Sequence, residues 1–503
     1  MTAGSLATPT SSIAASRRAA PWGSEPIAPR TLLLAGLILA NLGVAVLWPH
    51  PIGTLFALVL MLLAIGRMFS IHPVALVFLA PFIILNLSVM VSLIAIESGT
   101  LMKEMGVTGH ASPAGASYVI YCLIFLLAAT QTFRRLQLRL QTKHPEKAAS
   151  ATAESALLDY AALCIGGLAA LYLIAAGLRT GFPLITGTDR FQFRANTADI
   201  VTLNLLNLKF TIGAMLGVGA AWSTSRWRTS LHHLVFAAYI VVSFLYGDKF
   251  FIVLIASCFY AMPFLVRDPR RVAGVVRQSA PWVIIMLLGV CSVTLFIYSG
   301  YGRLSLEDTL TKLATRVAGQ GQLWFLAVED APRWIGFDTE IVSQNLGSVF
   351  ANPAATYVFE HRLAAFHFVE KYSPSAMYVS FLHNGGTVTP TMVFEAYGLV
   401  AFGFVGLAVL MLLMGVIVGM LLHWLARALL SGNPINALLP AFVLSQSIAF
   451  MSQATVYSLV SLSIFKSYAA FLVLQLIVSA WLRYSTPPEP FARLEPMRKA
   501  AAR

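Results

Sequence analysis

Charged residues are scarce in this sequence. Only 11% of its 503 residues are Asp, Glu, Lys or Arg, against about 25% in a typical soluble domain. Hydrophobic residues make up 58%, and the mean hydropathy is +0.77. No soluble fold can hide that much apolar surface, so a soluble globular class is excluded. Cysteine is scarce as well. Cys122, Cys164, Cys258 and Cys291 all lie in apolar runs, and no two form a C-x-x-C pair. That pattern suggests neither a disulfide framework nor a structural zinc site. Walker, G-x-S-x-G and H-E-x-x-H motifs are missing. So is a D-x-D motif for a metal-bound nucleotide sugar. The first outer loop, near Trp48-Pro-His-Pro51, has no carboxylate. This argues against membrane glycosyltransferases whose catalytic acid sits there. His110 and the pair His232-His233 lack metal-ligand spacing, so neither metal nor cofactor is implied.

What is present is a series of long apolar runs. They cover about 31–48, 52–70, 73–97, 116–133, 158–178, 203–222, 231–246, 250–266, 280–299, 398–422, 435–453 and 462–482. A helix needs roughly 20 residues to cross the hydrocarbon of a bilayer. The fold class expected is an all-α polytopic membrane protein with about twelve transmembrane helices. The short pair 231–246 and 250–266 is read as two helices. One continuous helix would put Gly247-Asp248-Lys249 in mid-membrane at high cost.

The net charge of +13 is not a nucleic-acid signal, because no recognition element accompanies it. Its excess sits in short loops, where it sets orientation. Arg67, Arg134, Arg135, Arg139, Lys143, Lys147, Arg226, Arg228, Arg267, Arg270, Arg271, Arg277 and Arg427 fall on one side. Arg17, Arg18 and Arg30 at the start and Arg483, Arg493, Arg498, Lys499 and Arg503 at the end share that side. Both termini are therefore expected in the cytoplasm. Residues 1–30 read as a disordered tail, 31–299 as the first nine helices, 398–482 as the last three, and 483–503 as a basic tail.

Residues 300–397 form the one long polar stretch, read as a large outer loop. Ser305 followed by Asp308 makes a capping-box-like start. Leu306, Leu310, Leu313 and Val317 make an apolar stripe, and Gly319 would end that helix. A second helix is expected from Asn352-Pro353 toward Lys371. Both read as amphipathic helices on the membrane surface or on the bundle.

Four constellations could carry chemistry. Arg179, Arg190 and Arg194 crowd a short outer loop, against the orientation rule. Arginine's planar fork suits phosphate, which points to capture of a lipid-linked phosphate. Pairing with Asp189 and Asp199 is the plainer reading. In the insert, Arg303 and Arg316 accompany Gly319-Gln-Gly321, whose glycines could let backbone amides approach an anion. A solvated face with Asp308, Lys312 and Arg316 one turn apart is the alternative. His383-Asn384 and Glu395 stand just before a transmembrane run and could supply or orient a general base; an interfacial loop with a satisfied histidine is the alternative. Gly247-Asp248-Lys249 could bind an anion or merely turn the chain. Lys209 and Lys466 lie within apolar runs, where a charge is costly unless it snorkels.

Several of these segments resemble the O-antigen and exopolysaccharide polymerase (Wzy-type) family, within the wider O-antigen polymerase/ligase superfamily. The resemblance rests on Thr188-Asp-Arg190-Phe, Gly247-Asp-Lys249, Arg316 with Gly319-Gln-Gly321, and the tail His383-Asn384, Glu395-x-Tyr-Gly398 and Gly403-x-x-Gly406. It implies a GT-C-like fold with the insert as a large helical periplasmic loop, in the inner membrane of a bacterium. It implies metal-independent, inverting polymerisation of undecaprenyl-diphosphate-linked oligosaccharide repeats, with the bilayer as surroundings and a chain-length regulator as a further partner. His383 and Glu395 would be catalytic. Arg179, Arg190, Arg194, Lys249, Arg303 and Arg316 would bind the diphosphate. An O-antigen ligase differs only in acceptor. A polysaccharide or lipid-linked sugar transporter is the alternative from another class.

Overall fold

The helices begin where the sequence supplies caps. At Ser305 the hydroxyl accepts the amide of Asp308 at 3.1 Å and donates to its carboxylate at 2.6 Å. The helix that follows, Leu306–Ala318, stops at Gly319. A computed structural model describes residues 28–143, 156–188, 193–194, 197–248, 250–268, 305–330, 334–347 and 393–485, with scattered positions in 272–299 and 349–379. Among them α1 spans Ala28–Leu47, α2 Pro51–Ile71, α3 Pro73–Phe78 and α4 Ala80–Glu97. A two-residue hairpin, Leu101–Met102 against Val107–Thr108, leads to α5, Ala114–Lys143. Next come α6 Ala156–Thr180, α7 Pro183–Thr186, α8 Ile200–Asn207, α9 Lys209–Trp222, α10 Arg226–Leu245 and α11 Phe250–Arg267. The insert contributes α12 Leu306–Ala318, α13 Gln322–Asp330 and α14 Thr339–Gly347. The chain closes with α15 Val393–Leu430, α16 Leu438–Gln453, α17 Tyr457–Val460 and α18 Leu462–Ser485.

Eight of these helical stretches are long and apolar enough to cross a membrane, and α8 with α9 makes a ninth if a 58° bend is allowed within one span. The chain is a mainly helical, multi-pass membrane protein. Helices lie on eleven of the twelve apolar runs. The twelfth, 280–299, falls almost wholly outside the described residues.

Close packing sets which helices run together. Gly415 and Gly419 lie one turn apart on α15, and a Cβ at either would come within 2.6 Å of a backbone carbonyl on α5, Phe125 or Ala129. Only glycine lets the two backbones approach so closely, and the contacts advance together along both chains, so α5 and α15 run parallel. The Trp222 indole at the end of α9 donates to the carbonyl of Leu429 near the end of α15 at 3.1 Å. Helices α5, α9 and α15 therefore all start at one end of the bundle.

The insert docks on that same end. Ser92 of α4 donates to the Ala318 carbonyl and accepts the Gly321 amide, each at 2.8 Å. Trp324 is fully buried and donates to the Ala114 carbonyl at 2.8 Å. Asn345 of α14 donates to the Ala454 carbonyl at 2.7 Å. Leu323, Phe325 and Ala327 are buried with Trp324, so α13 is a core helix. On α12 the expected apolar stripe is split: Leu306 and Leu310 are exposed, Leu313 and Val317 are half-buried, and Thr309 and Ala318 turn inward. The expected helix from Asn352 to Lys371 lies largely outside the described residues.

The helix on the 398–422 run begins earlier than the run's hydropathy suggests, at Val393, and it is broken. Gly403 has φ 73° and ψ −178°, a conformation that glycine adopts readily and other residues rarely do. The backbone groups freed there pair with insert residues 334–338. Asp338 donates to the Ala401 carbonyl at 2.9 Å, and Val405 donates to the Trp334 carbonyl at 3.0 Å. These bonds restore what the break removes.

Candidate functional site

The strongest polar grouping lies where the 181–199 loop meets the turn between α10 and α11. Asp248 is buried. Gly247, with φ 82°, turns the chain, and the Asp248 amide is held by the Ser243 carbonyl at 3.3 Å. Arg194 reaches Asp248 Oδ1 through Nη2 at 2.9 Å, and Lys209 Nζ holds Oδ2. Lys209 stands at the start of α9, just after the 58° break. The break lets a cation from an apolar run turn onto a carboxylate in a neighbouring turn.

Two cations meet one carboxylate in a largely dry setting. The Lys209 side chain is 6% exposed and that of Arg194 32%. The Nε of Arg194 has no hydrogen-bond partner among the described residues. That nitrogen is itself buried, while the partly exposed remainder of the planar fork is suited to a phosphate oxygen. Nearby, Arg179 is exposed and sits 3.8 Å from Asp199. Asp199 caps α8, and the Thr202 amide, together with the hydroxyls of Tyr172 and Thr202, holds its carboxyl below the usual carboxylate range.

A second polar grouping surrounds the start of α5. Glu97 is buried at the end of α4 and accepts the Gly115 amide at 2.8 Å. Deeper in, Tyr118 donates to Asn86 at 3.1 Å and lies 3.4 Å from Glu395. Each of the two glutamates has one carboxyl oxygen without a partner among the described residues. Above them, Glu329 of α13 accepts from the Ser112 hydroxyl at 2.5 Å, and His110 lies 3.2 Å from its other oxygen. A third grouping is at the opposite end of the bundle, where Asp159 pairs with Arg228 at 2.8 Å and with the buried His232 at 2.5 Å.

Residues 360–466 match the model of a protein family of unknown function, DUF6418. The match runs from the insert through α15 and α16 into the start of α18 and includes Glu395 and the Gly403 break. No curated protein and no solved structure matches the chain.

The structure brings Arg194 together with the Gly247-Asp248 turn and with Lys209, three features drawn separately from the sequence. Arg179 stays on the neighbouring Asp199. Arg190, Lys249, Arg303 and His383 lie outside the described residues. Arg316 is exposed on α12. The glycine run after it is occupied as a turn: the Gly319 amide bonds the Thr315 carbonyl, that of Gln320 bonds Val317, and that of Gly321 bonds Ser92. Those amides are not open to an anion. Glu395 lies inside α15, 1% exposed, so it does not stand in a loop before the membrane helix. The buried apolar neighbours Phe394 and Ala396 carry it inward.

The acid end of α4 and the His110–Glu329 pair were missed. The sequence gives no spacing that links residue 110 to 329; only the docking of α13 brings them together. Asp248 was visible as part of a turn, but its two cationic partners were not. Among the described residues no set of three or more His, Cys, Asp or Glu side chains is placed to hold a metal.

Proposed function

We propose that this chain is an inner-membrane polymerase of undecaprenyl-diphosphate-linked oligosaccharide repeats. In this reading the chain crosses the bilayer about twelve times, has a GT-C-like arrangement, keeps both termini in the cytoplasm, and meets its substrates on the periplasmic side. One observation carries the reading: Arg194 and Lys209 converge on Asp248, and part of the Arg194 side chain is open to solvent. One of the segments behind the family resemblance, the Gly247-Asp248 turn, lies there.

The chemistry suits the residues. A lipid diphosphate is already a good leaving group, so it needs its developing charge neutralised more than it needs a proton. Arg194, held on Asp248, supplies that as a preorganised donor. Removing one such donor typically lowers the rate by about 10²–10³. The acceptor hydroxyl attacks the anomeric carbon from the face opposite the diphosphate, which gives inversion. Glu395, enclosed with Tyr118 and Asn86, acts as a positioning group in this scheme.

The test is deletion of the gene followed by gel analysis of the surface glycan. A polymerase deletion leaves single repeats in place of a ladder, whereas loss of a ligase leaves long lipid-linked polymer. Arg194→Ala at normal membrane levels should shorten the ladder. An unchanged ladder in the deletion strain would discard the reading.

A second reading is transport of an anionic, lipid-linked saccharide. It is favoured by two interrupted membrane helices, at Leu208 and at Gly403, and by charges buried in the bundle. Discontinuous helices of this kind build midplane sites in transporters. That reading requires the deletion strain to accumulate lipid-linked repeats on the cytoplasmic face.

A further inference from the structure

We infer that His110 is the general base that takes the proton from the acceptor sugar's hydroxyl, with Glu329 and Ser112 as its positioning residues; this rests on the transferase reading above. The imidazole is held on two sides. Its Nε2 lies 3.2 Å from Glu329 Oε2, and its ring meets the Phe325 ring edge-on at 5.3 Å between centroids. Both partners belong to α13, the helix that Trp324 anchors in the core. Glu329 is itself fixed, because the buried Ser112 hydroxyl donates to its other oxygen at 2.5 Å. Ser112 is fixed in turn, accepting the Ala114 amide at 3.3 Å at the start of α5. A carboxylate that orients a histidine, and is oriented by a third group, is the arrangement that prepares a base.

The remaining nitrogen is the working one. With the Nε2 proton directed at Glu329, Nδ1 carries the lone pair and has no partner among the described residues. The His110 side chain is 59% exposed, so an acceptor can reach it. Stability does not explain the grouping. A His–carboxylate pair at this exposure contributes little. The pair sits at the end of the bundle where α5, α9 and α15 all begin, the end that also carries Arg194 and Asp248.

The step balances. The acceptor oxygen forms a bond to the anomeric carbon as its proton passes to His110 Nδ1. The bond from that carbon to the diphosphate oxygen breaks, and the electron pair leaves with the lipid diphosphate. The imidazolium, facing the Glu329 carboxylate, returns the proton to solvent.

The experiment uses the full-length chain in native membrane vesicles that carry the cell's own lipid-linked repeats. His110→Ala should lower the polymerisation rate by about 10²–10⁴, and added imidazole should restore part of it. Glu329→Gln should lower kcat with KM little changed, and Glu329→Asp should recover part of the loss. His110→Gln keeps a side-chain donor for Glu329 and serves if the alanine variant fails to accumulate. Polymerisation within twofold of normal in both histidine variants, in a strain whose deletion abolishes the ladder, overturns the assignment. A deletion strain that still makes the ladder overturns the transferase reading beneath it.

Discussion

The indole of Trp324 donates to the backbone carbonyl of Ala114 at 2.8 Å, across 210 residues of sequence. This bond seats the insert in the bundle. The carbonyl belongs to the first turn of α5, and the Trp324 ring packs edge-on against Tyr118 and Tyr121 of the same helix, each at 5.6 Å. Trp324→Ala should destabilise the protein by about 3–5 kcal/mol, the usual range for removing a buried large aromatic side chain. Trp324→Phe should cost less, since it keeps a ring and loses only the indole's bond to the Ala114 carbonyl, which the Ser117 hydroxyl also reaches at 2.9 Å. Thermal unfolding in detergent measures both. A melting temperature unchanged in the alanine variant would show that the insert is not anchored there.

Asp248 is the counter-charge for two cations. Asp248→Ala removes the carboxylate that the buried Lys209 and Arg194 share. Breaking a buried pair in this way costs about 3–5 kcal/mol. Adding Lys209→Met should recover a good part of the loss, because the charge that needed a partner is gone. The double-mutant cycle reads the coupling directly. Additive effects would mean that the two side chains do not interact.

Gly403 holds a conformation that is strained for any residue with a Cβ. Gly403→Ala should cost about 1–3 kcal/mol, or should straighten α15 and release residues 334–338 from their backbone bonds. Faster proteolysis of the insert in Gly403→Ala reports the second outcome. A variant with normal stability and normal protection would show that the break does not depend on glycine.

The Asp199 cap gives a pH dependence with a definite sign. The Thr202 amide holds the folded-state carboxyl below its ordinary value, which is about 3.9 in an unfolded chain. Its contribution is therefore complete above that unfolded value and disappears as pH falls through the lower folded one. Asp199→Asn keeps a cap acceptor but not the charge. The difference in melting temperature between the parent and Asp199→Asn should narrow as pH is taken from neutral to about 3. A difference constant with pH would remove the carboxylate from the explanation.

The membrane class was legible in the sequence because bilayer insertion depends on local hydropathy. A run of about 20 apolar residues satisfies its own backbone as a helix wherever it ends up. That is why helices appear on the expected runs, and why the Ser305 cap and the Gly319 stop of α12 stand where the sequence put them. Such features depend on neighbours within a turn or two. The breaks were not legible in the same way. Hydropathy is blind to the bend between Leu208 and Lys209, and Gly403 lies inside a run that is apolar throughout.

The site was readable only in pieces. Arg194, the Gly247-Asp248 turn and Lys209 each attracted notice, but their convergence depends on the bent α8–α9 pair and on how α9, α10 and α11 pack. Glu395 was misplaced as a loop residue, because one carboxylate cannot outweigh the apolar neighbours that carry it into the bundle. His110 and Glu329 are joined only by the burial of α13. Sequence alone determined that this chain lives in a bilayer as a set of helices, since that follows from composition and from contacts a few residues apart. Which polar side chains meet was decided by tertiary packing, since a buried charge takes the partner that packing brings to it.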